Sequence, residues 1–238
     1  MASWDDVPHL SAEAKASMLA SIPPWQRDSR SKGIPQLGAG AIYTVPETDF
    51  SENPFEIPRH WPRVFGLDVG WNRTACLWAA WDRDTGTVHI YDELYRSKTE
   101  PSVIAESMRG RGKWVPGVVD PAARGRSQKD GAALMDVYRD LGLDIEPADN
   151  TVEAGIYKVW EMLGAGNIKV ARSCSNFFAE YRLYRRDERG KVVKSNDHLM
   201  DALRYLIMSG LDRAITEPKM RADGKRWCDV TPPIVFAG

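Results

Sequence analysis

Val64-Phe65-Gly66-Leu67-Asp68-Val69-Gly70 is an apolar run broken by a single carboxylate. It reads as a buried strand. Thr74 to Trp81 forms a second such run, Asp82-Arg83-Asp84-Thr85-Gly86 a polar turn, and Val88 to Tyr95 alternates as a third strand. Three strands joined by short connections make an antiparallel meander. Downstream, Pro101 suits the first turn of a helix reaching Met108. Val115 to Val119 is a short, wholly apolar strand of the kind found mid-sheet. Helices are expected over Gln128–Leu141, from a Thr151 cap to Leu163, over Phe177–Tyr184 and over Asp197–Leu211, with brief strands at Leu143–Glu146 and Ile168–Val170. This order implies an α/β fold: one mixed central sheet, three antiparallel strands then parallel ones, with helices on both faces.

Three aspartates stand where apolar residues are expected. Asp68 interrupts the first strand, Asp120 ends Val118-Val119-Asp120-Pro121, and Asp201 lies within Leu199-Met200-Asp201-Ala202-Leu203. A carboxylate beside a buried element is costly unless neutralised. Strand C-terminal ends are where sites form in open α/β sheets, and two neighbouring central strands would set Asp68 and Asp120 side by side. The last helix is apolar nearly all round, so it lies on the sheet and brings Asp201 to them. Asp197 shares the Asp201 face and is expected as a fourth ligand or as a partner to the ligands. Clustered carboxylates repel, and Mg²⁺ or Mn²⁺ relieves the repulsion. Two ions roughly 4 Å apart can clamp the attacking and leaving oxygens of a phosphodiester.

The 238 residues, 43% hydrophobic and 27% charged, describe an ordinary globular chain with material for a core. The net charge of −1 excludes a generally basic coat, although local patches can still bind nucleic acid. Cys76, Cys174 and Cys228 have neither zinc nor disulfide spacing, which suits a reducing compartment. No signal peptide or membrane span is expected. Residues 1–60 are rich in proline and turns, with one helix expected from Ala12 to Ser21 under a Ser11 cap; they read as a linker or part of a neighbouring domain. The expected division is therefore 1–60, a domain over 61–213, and a polar tail over 214–238.

Four segments carry a resemblance: Val64-Phe65-Gly66-Leu67-Asp68-Val69-Gly70-Trp71, Ile90-Tyr91-Asp92-Glu93-Leu94-Tyr95, Val118-Val119-Asp120-Pro121-Ala122, and Asn196-Asp197-His198-Leu199-Met200-Asp201-Ala202-Leu203-Arg204-Tyr205. In order and spacing they resemble the C-terminal nuclease domain of the large terminase subunit of tailed bacteriophages, over residues 62–212. The resemblance implies a ribonuclease-H-like fold and metal-dependent cleavage of concatemeric double-stranded viral DNA during genome packaging. It implies that Asp68, Asp120 and Asp201 are the catalytic, metal-binding acids. It also implies a portal protein and a small terminase subunit as partners, and the cytoplasm of an infected bacterium as the location.

Trp4-Asp5-Asp6-Val7-Pro8-His9-Leu10, Arg30-Ser31-Lys32-Gly33-Ile34-Pro35 and Gly38-Ala39-Gly40-Ala41-Ile42-Tyr43 are similar to the end of the packaging ATPase domain and its linker. Gly110-Arg111-Gly112-Lys113-Trp114 lacks the spacing and hydroxyl of a phosphate-binding loop, so no ATPase activity is expected. The chain reads as a nuclease fragment of a longer motor protein or as a prophage remnant.

A nuclease of this kind needs basic residues near the acids. Arg109, Arg111, Lys113, Arg124, Arg126 and Lys129 flank Asp120; Arg182, Arg185, Arg186, Arg189, Lys191 and Lys194 surround a hairpin before the last helix. Asn72 and Thr74 are further candidates to orient metal-bound water; Asp92 and Glu93 point to opposite faces of the third strand, so at most one approaches the metals; Trp71 is placed to shield the site. Another ribonuclease-H-like nuclease, of resolvase or transposase type, has the same acids. An inactive module docking on the portal or small subunit is the non-enzymatic alternative.

Overall fold

The computed structural model describes residues 11, 13–15, 40–124 and 133–218. The expected strands are present: β2 (Arg63–Asp68), β3 (Thr74–Asp82), β4 (Thr87–Arg96), β5 (Gly117–Val119), β6 (Ile145–Pro147) and β7 (Ile168–Ala171), with β1 (Ser51–Glu52) added before them. They form one seven-stranded sheet in the order β1-β7-β4-β3-β2-β5-β6. The β2-β3-β4 meander is antiparallel; β5 joins β2, β6 joins β5, and β7 joins β4, all parallel. The helices are α1 (Glu47–Phe50), α2 (Pro101–Arg109), α3 (Leu134–Asp140), α4 (Val152–Gly164), α5 (Ser175–Leu183) and α6 (His198–Tyr205).

Strand alternation sorts side chains onto two faces. Val64 packs with Leu77, Leu199, Leu203 and Ile207, in the layer that holds α4, α5 and α6. Phe65 and Leu67 pack on the other face with Trp78, Ile104, Met108 and Tyr138, beneath α2 and α3. Gly66 and Asp68 therefore share the α6 face with Val64. Gly66 is what allows α6 to lie so close: a Cβ there would sit 2.3 Å from the Ala202 carbonyl oxygen. The expected final helix is α-helical only to Tyr205; Leu206–Gly210 form one π turn and Leu211–Arg213 a 3₁₀ turn.

Residues 41–52, expected with the preceding segment, belong to the sheet's packing. Ser51 and Glu52 pair with Val170 and Ala171. Tyr43 and Phe50 are buried; Phe50 packs on Phe177, Phe178 and Tyr181, and Tyr43 on Tyr181 and Tyr184. At the other end, Ile215 bridges to Arg63 and Ala214 is buried. A two-residue strand has no readable periodicity, and isolated aromatics between prolines do not announce a core. Of the expected helix over 12–21, only residues 13–15 are described; the amide of Ala14 donates to Ser11 Oγ. Residues 128–132 of the expected 128–141 helix and the tail beyond 218 lie outside the described residues.

Thr151 precedes α4 as expected but caps nothing with its side chain, donating instead to Asp149 Oδ1 at 2.6 Å. Among the described residues no helix is long and apolar enough to cross a membrane.

Candidate active site

Asp68 is the last residue of β2. Its neighbour Leu67 pairs in register with Val119, and the Asp120 amide donates to the Leu67 carbonyl at 3.1 Å. Asp68 and Asp120 thus leave adjacent parallel strands at the same end. Val118 packs against Tyr205, so alternation puts Asp120 on the α6 side with Asp68. Asp201 is in the first turn of α6, which crosses β2 at Gly66. All three aspartates therefore belong to one face at one end of the sheet.

Their partners differ. Asp68 is nearly buried, and its Oδ2 is 2.8 Å from His198 Nδ1. Burial pushes the Asp68 carboxyl above the usual carboxylate range; the His198 contact opposes this, and the charges of Asp201 and Asp120 add to it. The Asp68 hydrogen bond in turn raises the His198 imidazole, against the effect of burial. Asp201 is also nearly buried: Arg204 Nη2 donates to its Oδ1 at 2.9 Å and Lys194 Nζ to its Oδ2 at 2.9 Å. The Lys194 ammonium is also 3.2 Å from the buried Asp197 Oδ2 and pairs with it. Asp120 is half-buried, and its Oδ1 accepts from the Ala122 amide at 3.0 Å.

As placed, no three histidine, cysteine, aspartate or glutamate side chains among the described residues form a ready metal cage. The acids are neighbours, but cationic side chains occupy two of them. The donor chemistry nevertheless suits a hard divalent ion. Asp68 is burdened by burial and by the like charges of Asp201 and Asp120, which a divalent ion would relieve.

Several other candidates have different work. Glu93 caps α5, its Oε1 and Oε2 accepting from the amides of Asn176 and Phe177 at 2.9 and 2.8 Å. Asp92 is paired with Arg111 at 2.6 Å, and that guanidinium lies over Trp78, so Arg111 is committed inward. Thr74 donates to the Gly70 carbonyl and pins the β2–β3 loop. Trp71, three residues after Asp68, is 59% exposed. In the hairpin, Arg186 makes a two-pronged pair with Glu153 on α4 at 2.9 and 2.6 Å, while Arg185 and Lys191 are exposed. The side chains of Arg124, Arg126 and Lys129 lie outside the described residues.

The acids have basic partners, His198, Lys194 and Arg204. Their signal is spacing, since Lys194 lies three before Asp197 and Arg204 three after Asp201. Arg204 is 1% exposed and runs beneath α4 where Gly155 leaves room; a Cβ there would meet its Cγ at 2.4 Å. Replacing Arg204 with Met is expected to cost about 3–5 kcal/mol in urea unfolding, because it strands a buried Asp201 carboxylate. Adding Asp201→Asn should recover part of that loss, as a double-mutant cycle would measure.

An antiparallel meander extended by parallel strands, with acids at two strand ends and on the helix across them, defines the ribonuclease-H-like class. Residues 65–209 match the family model described as the terminase RNaseH-like domain. The large terminase subunit of Salmonella phage P22 is 32% identical over 228 residues, covering 90% of this chain and 45% of the relative. The solved nuclease domain of the P22 large terminase superposes with a TM-score of 0.69 at 30% identity, over 76% of this chain and 97% of that domain. The nuclease domain of the large terminase of bacteriophage SPP1, solved with bound Mn, shares the fold at 20% identity and a TM-score of 0.50, over 65% of this chain and 92% of that one. The chain belongs to the terminase RNaseH-like family, and spans less than half the length of its curated P22 relative.

Proposed function

We propose that this chain is a metal-dependent endonuclease that cuts concatemeric double-stranded viral DNA during genome packaging. The observation that carries the reading is the gathering of Asp68, Asp120 and Asp201 on one face at one end of the sheet, in a chain whose relatives are terminase nucleases. Asp68, Asp120 and Asp201 would hold Mg²⁺ or Mn²⁺, with Asp197 beside them. Ions held there would supply a water activated near neutral pH and charge stabilisation for the leaving oxygen. Arg204 fixes the Asp201 carboxylate through Oδ1 and leaves Oδ2 facing outward, toward the more exposed Lys194. His198 holds Asp68 Oδ2 through Nδ1, and so sets the direction of that carboxylate.

The ATPase part of the same motor, a portal protein and a small terminase subunit are the partners this reading assigns, in the host cytoplasm. Membership of the terminase family favours this substrate over the branched DNA of resolvase-type enzymes. The decisive assay is plasmid cleavage in Mn²⁺ or Mg²⁺. Cleavage is expected to stop with chelator and in Asp68→Ala, Asp120→Ala and Asp201→Ala proteins; cutting that persists in all three variants would falsify the assignment.

DNA contact is assigned to Arg185 and Lys191 of the hairpin, and to Arg124, Arg126 and Lys129 after β5. Arg186 differs, because its charge is already matched by Glu153. Arg185→Ala is expected to weaken DNA binding and lower the slope of affinity against salt by about one. Arg186→Ala should act mainly on stability, by about 1 kcal/mol or less. Salt titrations of binding for the two variants, with urea unfolding, separate these effects.

A further inference from the structure

The contact between Lys194 and the paired carboxylates of Asp197 and Asp201 has a peculiar balance. The carboxylates are nearly buried, at 7% and 11% side-chain exposure, whereas the lysine is 60% exposed. The one ammonium is shared between the two carboxylates, while Arg204 holds the other oxygen of Asp201. Arg204, on the inner side, is locked by packing; Lys194, on the outer side, can swing into solvent. Its position also opposes the field of α6, whose N-terminus begins at His198 and disfavours a cation. The carboxylates alone hold it there. Asn196, in the left-handed region at φ 53°, supplies the bend in the segment joining Lys194 to the start of α6.

We propose that Lys194 is the resident counter-cation of the Asp197–Asp201 pair and gives way when a divalent ion binds Asp201, so that residues 191–196 are anchored when the ion is absent and released when it is bound. This rests on the nuclease reading. The exchange breaks no covalent bond: the ammonium keeps its proton and moves into solvent, and the ion takes over Asp201 Oδ2. Two carboxylates favour a doubly charged ion over a single ammonium. The same segment carries the hairpin, through the Arg186–Val192 bridge and the bond from the Val193 amide to the Arg185 carbonyl. Ion occupancy is thereby coupled to the segment assigned to DNA.

The test is Mn²⁺ titration calorimetry on the full chain, comparing wild type, Lys194→Met and, as a control, Arg59→Met, which removes an exposed cation outside the site. Lys194→Met is expected to bind Mn²⁺ about fivefold more tightly, as removal of a competing exposed ion pair predicts, and to melt lower in chelator; the control should bind as wild type does. Amide exchange over 191–196 in wild type should quicken on Mn²⁺ saturation. Unchanged or weaker Mn²⁺ affinity in Lys194→Met overturns the exchange while leaving the nuclease reading intact. Should that variant fail to fold, unchanged amide protection in wild type overturns it equally. Absence of Mn²⁺ binding to wild type, or binding that survives Asp201→Ala, overturns the metal assignment and this inference with it.

Discussion

Asp68→Asn is expected to lower DNA cleavage by about a thousandfold while leaving the protein as stable as wild type, or more stable by about 1 kcal/mol, in metal-free urea unfolding. The two effects have one cause. Asp68 is a nearly buried carboxylate whose ionised form is disfavoured by burial and by the charges of Asp201 and Asp120, with His198 as its hydrogen-bond partner. Asparagine keeps the shape and an oxygen for His198 Nδ1 but removes the charge. What is lost is the negative oxygen that would hold an ion. A second signature follows from linkage: Mn²⁺ should raise the melting temperature of wild type, since an ion that binds only the folded state stabilises it. Most of that rise should vanish in Asp68→Asn. A variant that loses stability together with activity would mark Asp68 as a structural residue and take the first strand's acid out of the proposed machinery.

The acids were legible in the sequence because each breaks an apolar run, and a charge in such a run needs a reason. The sheet was legible because Val64 to Tyr95 gives two buried strands, a polar turn and an alternating third, the grammar of a meander. What surrounds the acids was not. The spacing of Arg204 three after Asp201 offers it as a partner for that carboxylate, but nothing local says that the arginine is almost wholly buried. Glu93, in a strand that also carries Asp92, invites a metal role, but its carboxylate caps α5, which is 83 residues downstream at Asn176. Such pairings depend on which helix crosses which strand, and no local pattern encodes that. Arg186 illustrates the same limit: a basic hairpin is legible in the sequence, but the pairing of its guanidinium with Glu153 from another element is not. The early packing residues Tyr43 and Phe50 were hidden for a different reason. Prolines and glycines around them dilute every periodic signal, and only the aromatic cluster with Phe177, Phe178, Tyr181 and Tyr184 shows why they are there.

Gly66→Ala is expected to cost about 3 kcal/mol or more and to lower cleavage by about a hundredfold even where the protein still folds. The added Cβ would stand 2.3 Å from the Ala202 carbonyl oxygen and 2.9 Å from Leu206 Cβ. Backbone lies on both sides of this collision, β2 below and α6 above, so no side-chain rotation relieves it. The helix must lift or slide. Asp201 rides on that helix one residue before Ala202, and Asp68 lies two residues beyond Gly66 on the strand, so any shift that frees the methyl changes the spacing of the two acids. A control separates this from the ordinary cost of replacing a glycine. Gly86, in the β3–β4 turn, has φ +74° and open space around its missing Cβ. Gly86→Ala should therefore lose only about 1 kcal/mol through backbone strain and keep full cleavage and Mn²⁺ affinity. If Gly66→Ala proved as mild as Gly86→Ala, the close seating of α6 on β2 would be wrong, and the acids would have no fixed frame to share.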